Sequence, residues 1–145
     1  MLNIPIRVKN LVNKWGTANP FKICKYLKIY VTYKDLGNET KGFYQKIKGK
    51  KVIVINSNLD SFSKKIVCAH ELGHCILHSS KQVQYSREHT LLPKNSIYEE
   101  EANRFAAELL IDENEADYIY SCKINFQILE QLKNLKNKYK NKRRD

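Results

Sequence analysis

Between positions 29 and 55, β-branched and aromatic residues come in three short bursts separated by turn-forming residues. Ile29-Tyr30-Val31-Thr32-Tyr33 is the first, 43–47 the second and 51–55 the third, with Gly37-Asn38 and Gly49-Lys50 between them. That composition favours strands and that punctuation favours turns, so three antiparallel strands are predicted. Ahead of them, 20–27 reads as a short helix, with Asn19 as its cap and Pro20 in the first turn, where a missing N–H costs nothing. Behind them the period changes from two to about 3.6. A helix is predicted over 61–78, opened by a polar cap at Ser61 or Ser63. A second is predicted over 99–111, where Ala102, Phe105, Ala106, Leu109 and Leu110 form one stripe at about 100° per residue. The intervening 81–96 holds Pro93 and many polar residues and reads as a surface loop, and a last helix is predicted over 126–139.

Length adds that this is one unit: 145 residues suffice for a single core of ordinary size, and neither a repeat nor a linker interrupts it. We divide the chain into a domain over 1–132 and a basic tail over 133–145. The longest strongly apolar run, Val52-Ile53-Val54-Ile55, falls far short of the about 20 residues that cross a bilayer, and the first ten residues hold no segment of signal-peptide length. A soluble cytoplasmic protein is expected. Cys24, Cys68, Cys75 and Cys122 are scattered without a C-x-x-C pair, which fits reduced thiols and argues against a disulfide framework or a zinc knuckle. Cys75 is read as a small buried hydrophobe.

Chemistry concentrates in His70-Glu71-Leu72-Gly73-His74. On a helix, His70 and His74 point the same way one turn apart, while Glu71 lies about 100° round from His70. Two neutral imidazoles then share one zinc ion at about 2.0–2.1 Å, and the carboxylate stays outside the coordination sphere beside the open position. The ion lowers the pKa of bound water from 15.7 towards roughly 7, and Glu71 is placed to take the proton and return it to a leaving amine. Gly73 leaves space beside the second ligand.

A third ligand is sought on the next helix. Glu99 lies about 60° from the middle of the apolar stripe, Glu101 about 100° to the other side, and Glu100 roughly opposite. Glu99 is the best aimed, and the small Ala102 and Ala106 let its helix approach closely. Acidic residues in a first helical turn also stabilise the macrodipole without any metal, which accounts for Glu100 and leaves Glu101 as an alternative ligand. His78 continues the line of His70 and His74, but each turn advances about 5.4 Å, so three such rings do not converge on one ion. It is assigned an outer-shell or structural part.

The stretch HELGHCILH at 70–78, followed about twenty residues later by E-x-x-A-N-x-F-A-A-x-L-L at 99–110, resembles the ImmA/IrrE family of small zinc metallopeptidases. The paired motifs cover roughly 61–111. The resemblance implies His70, His74 and Glu99 as ligands, Glu71 as catalytic base, and a gluzincin-like, zincin-type α+β fold in which a small sheet packs on the HExxH helix. It also implies a protein substrate, a helix-turn-helix repressor of a mobile element or stress pathway. Family members commonly follow the Leu-Leu pair with a hydrophobic residue and Pro, whereas here Ile111 is followed by Asp112.

Charge supplies the competing reading. The chain carries 26 basic and 15 acidic residues, a net +11, with seven of the basic ones between 133 and 144. Such a run attracts nucleic acid or an acidic partner, which suggests a DNA-associated regulator, or a catalytically silent zinc-fold binding module. Against the regulator, no helix-turn-helix signature, RNP-like aromatic pattern or zinc-finger spacing is present. Against the silent module stands Glu71, since a structural zinc site normally fills all four positions with protein and has no use for an adjacent carboxylate. An oxyanion donor is not assignable from sequence; Tyr85, His89 and Tyr98 are candidates by position.

Overall fold

The computed structural model describes residues 2–78, 97–111 and 133–135. Seven elements make up the described fold: α1 (Ile4–Trp15), α2 (Pro20–Tyr26), β1 (Tyr30–Lys34), β2 (Gly42–Ile47), β3 (Lys50–Asn56), α3 (Ser61–Leu77) and α4 (Ile97–Leu110). The class is α+β, as the residue pattern predicts, and each predicted strand is present with its ends moved by a residue or so. The predicted 81–96 loop, most of the predicted 126–139 helix and the basic tail lie outside the described residues, apart from a helical turn at 133–135.

One strand pairing differs from expectation. The sheet order is β1-β3-β2, with β2 antiparallel to β3 but β1 parallel to it. β3 takes the centre because its Val52-Ile53-Val54-Ile55 run is apolar on both faces, which suits a strand covered on both sides. The β1–β2 connection therefore passes over the end of β3 instead of closing a hairpin. Asn56, at that end, holds it: the side-chain amide donates to the carbonyls of Gly37 and Thr40, both at 2.8 Å. The β2–β3 hairpin does form, through Lys48 and Gly49, whose φ values of 50° and 80° are those of a two-residue turn with both central residues left-handed.

Sequence reading missed α1. Its signals are present in retrospect: Asn3 caps the helix by accepting from the Ile6 N–H, Pro5 sits in the first turn, and Ile4, Val8, Leu11, Val12 and Trp15 recur at helical spacing. Trp15 stacks on Tyr26, joining α1 to α2 with ring centroids 5.1 Å apart. In α2, Asn19 caps as expected, accepting from the N–H groups of Phe21 and Lys22.

α3 is the central element. It packs against the sheet, α2 and α4 at once, and every residue from Ile66 to Cys75 is buried. A helix buried all round needs apolar or self-satisfied side chains on every face, which makes its two His and one Glu conspicuous. Its start is fixed by Asp60, not by Ser61 or Ser63: the Asp60 carboxylate accepts from the Ser63 N–H at 2.7 Å. Near its end, Lys51 on β3 donates to the Cys75 carbonyl at 3.2 Å, placing a cation on the negative end of the helix dipole.

Candidate metal centre

α3 and α4 meet along a tight seam that aligns their polar residues. At Gly73 an added Cβ would come within 3.1 Å of Cβ and Cδ1 of Phe105, so a bare backbone lets the two helices approach. Phe105 is fully buried and anchors α4 to the core. The space that Gly73 leaves is taken up by this aromatic side chain. Gly73→Leu is therefore expected to cost about 1–3 kcal/mol by overpacking. In Gly73→Ala, tighter contact is offset by about 1 kcal/mol of helix propensity. Thermal denaturation of both variants checks the ranking.

Across that seam, the Glu99 carboxylate faces both imidazoles. Its Oε2 lies 3.0 Å from His70 Nε2 and its Oε1 lies 2.9 Å from His74 Nε2. All three residues are buried, with exposures of 1% for each His and 5% for Glu99, so the cluster is shielded from competing water. The two rings stand nearly perpendicular, their centroids 4.8 Å apart, and both bring Nε2 to the same carboxylate. Glu71, 0% exposed, offers an oxygen within 4.8 Å of donor atoms of both His residues.

Two carboxylates thus border the imidazole pair. Glu99 spans both Nε2 atoms at hydrogen-bond distance, and Glu71, on the same helix as the two His residues, has an oxygen within 4.8 Å of their ligand atoms. The set of two nitrogens and one carboxylate oxygen fits a small divalent cation of borderline softness, with Glu71 alongside.

The structure places His78 and Glu101 together, apart from that convergence. His78 Nδ1 lies 3.1 Å from His74 Nδ1, on the side of the ring away from Glu99, and His78 Nε2 lies 3.1 Å from Glu101 Oε1. Burial holds His78 below the usual imidazole range against the opposing pull of Glu101. Tyr98 packs edge-on against the His78 ring at 4.9 Å. Of the three residues considered as oxyanion donors, Tyr85 and His89 lie outside the described residues.

Three cysteines surround the centre as free thiols: Cys24, Cys68 and Cys75 are buried, while Cys122 lies outside the described residues. Burial, reinforced by the charge of Glu71, pushes the Cys75 thiol well up, so it stays neutral and behaves as the small hydrophobe read from sequence. A hydrogen bond with Cys24 and burial do the same for Cys68, whose Sγ is 3.9 Å from that of Cys24. Among the described residues, no helix is long and apolar enough to cross a membrane.

The family model of Peptidase M78, described as IrrE N-terminal-like domain, matches residues 24–142. An "uncharacterized immunity region protein 2" of Bacillus phage phi105 is 43% identical over 108 residues, covering 74% of this chain and 68% of that protein. "Metallopeptidase ImmA" of Bacillus subtilis (strain 168) is 32% identical over 105 residues, 72% of this chain and 61% of that one. No solved structure matches significantly.

Proposed function

Because this chain belongs to the Peptidase M78 family, described as IrrE N-terminal-like, we propose that it is a zinc-dependent endopeptidase acting in the cytoplasm on a regulatory protein. The observation that carries this reading is the approach of one Glu99 carboxylate to both imidazoles of an H-E-x-x-H helix, at 3.0 and 2.9 Å. His70, His74 and Glu99 would hold the ion, and Glu71 would serve as general base and acid. When bound, zinc supplies Lewis acidity, making water a nucleophile near neutral pH and drawing charge from the scissile carbonyl.

The chain's own groups do the rest. Glu71 accepts the proton of the attacking water and delivers it to the departing amine, so the carboxylate is regenerated after each cleavage. Its burial beside the two His residues keeps that proton from exchanging freely with solvent, and the packed α3–α4 seam keeps the ligands in place between turnovers. The catalytic unit is 1–132, with 133–145 a basic accessory that raises the encounter rate with acidic partners.

For substrate, we propose a helix-turn-helix repressor. Supporting this, one relative is named an immunity region protein of a phage. Incubating the zinc-loaded protein with a purified helix-turn-helix repressor from the same genome is expected to give two discrete fragments, absent after treatment with 1,10-phenanthroline and restored by zinc. An intact repressor under all conditions removes this substrate; cleavage that ignores the chelator removes the metal mechanism.

A further inference from the structure

We propose that Glu101 and His78 form a relay that fixes the tautomer and orientation of His74, making them positioning residues for the metal; the inference rests on the zinc reading above. The argument follows protons from one residue to the next. Glu101, when ionised, only accepts hydrogen bonds. His78 Nε2, 3.1 Å from Glu101 Oε1, must then carry a proton and donate it. A neutral imidazole has one N–H, so His78 Nδ1 presents a lone pair. That lone pair faces His74 Nδ1 at 3.1 Å, which must in turn be the protonated nitrogen of His74. The remaining nitrogen, His74 Nε2, then presents its lone pair to Glu99 Oε1 at 2.9 Å, an approach of two acceptors that is favourable only with a cation shared between them, as the zinc reading requires. One carboxylate on α4 thereby determines which nitrogen of a ring on α3 is free to ligate.

Position along the helices explains why both acidic residues are used. Glu99 and Glu101 flank the apolar stripe of α4 on opposite sides. Glu99 reaches His70 and His74, while Glu101 reaches His78 one turn further along α3. His78 ends α3 as its cap, with its own N–H donating to the His74 carbonyl at 2.9 Å, so backbone and ring both tie it to the residue it orients. Tyr98 closes the other flank of the His78 ring. Such outer partners raise ligand basicity and typically account for about 10–100-fold in metal affinity.

The test measures zinc affinity of the full-length protein by competition with a chromophoric chelator, beside the melting temperature of the metal-free form. His78→Phe keeps an aromatic ring but offers no acceptor, and is expected to weaken zinc binding about 10–100-fold while the metal-free melting temperature stays near wild type. His78→Asn puts an amide oxygen close to the position of Nδ1 and should recover most of the loss. Glu101→Gln, which still accepts through Oε1, should bind more tightly than Glu101→Ala. In the cobalt-loaded protein, proton NMR should show a solvent-protected, hyperfine-shifted ring N–H from His74 that is lost in His78→Phe. Wild-type affinity in His78→Phe, or equal weakening in His78→Phe and His78→Asn, overturns the relay alone. Failure of the wild-type protein to bind zinc overturns the metal reading and the relay with it. Should His78→Phe not fold, the ranking of Glu101→Gln and Glu101→Ala decides, and equal affinities reject the relay.

Discussion

Glu71→Gln is expected to lower the rate of substrate cleavage by about 10²–10⁴-fold, the range supplied by a positioned general base, while leaving bound zinc unchanged. The expectation comes from separating the two jobs a carboxylate can do here. Glu71 is completely buried on the HExxH helix, so an isosteric amide preserves volume and packing, but an amide cannot accept a proton at neutral pH. If Glu71 were instead the third ligand, the same substitution would deplete the metal, because a neutral amide oxygen is a poorer donor to a divalent cation than a carboxylate. Activity and metal content, measured on one preparation, distinguish the two. Loss of both would move Glu71 into the coordination sphere, and cleavage at the wild-type rate would remove it from the mechanism.

The sequence carries much of this centre because its two halves obey local rules. Helical spacing sets His70 and His74 one turn apart before any tertiary contact is made, and the angular position of Glu99 beside the stripe of Ala102, Phe105 and Ala106 points it towards a partner helix. Composition likewise marks the strands, since Val52 to Ile55 has no polar face to expose. What was not legible depends on long-range arrangement. Strand order follows from which strand is buried on both faces, and the parallel pairing of β1 with β3 follows from the path over Asn56, neither of which is a property of a single segment. Pairing of His78 with Glu101 depends on the depth at which α4 docks, set by Gly73 against Phe105. The missed α1 is a different case: its cap at Asn3, its Pro5 and its apolar period are all local signals.

Glu99→Ala is expected to reduce bound zinc far more than Glu101→Ala does, by more than the about 10–100-fold typical of losing an outer-shell partner. Both substitutions remove one acidic residue from α4, so net charge and the general field change equally; only the contact differs. Glu99 sits 5% exposed against the Nε2 atoms of His70 and His74, whereas Glu101 is more exposed and touches His78. Truncating Glu99 leaves two imidazole donors, too few to fix a tetrahedral site that still keeps a position open for water. Truncating Glu101 leaves all three donors and loosens only the ring behind one of them. Because Glu99 is buried between two His residues, its loss also perturbs the metal-free fold, and Glu99→Gln serves as the volume-conserving control: it is expected to fold and to bind zinc weakly. Elemental analysis after dialysis at fixed zinc gives the comparison. The reverse order, with Glu101→Ala the metal-poor protein, would transfer the third ligand to Glu101 and place the ion between His74 and His78, abolishing the division of labour between the two carboxylates on which both the mechanism and the relay depend.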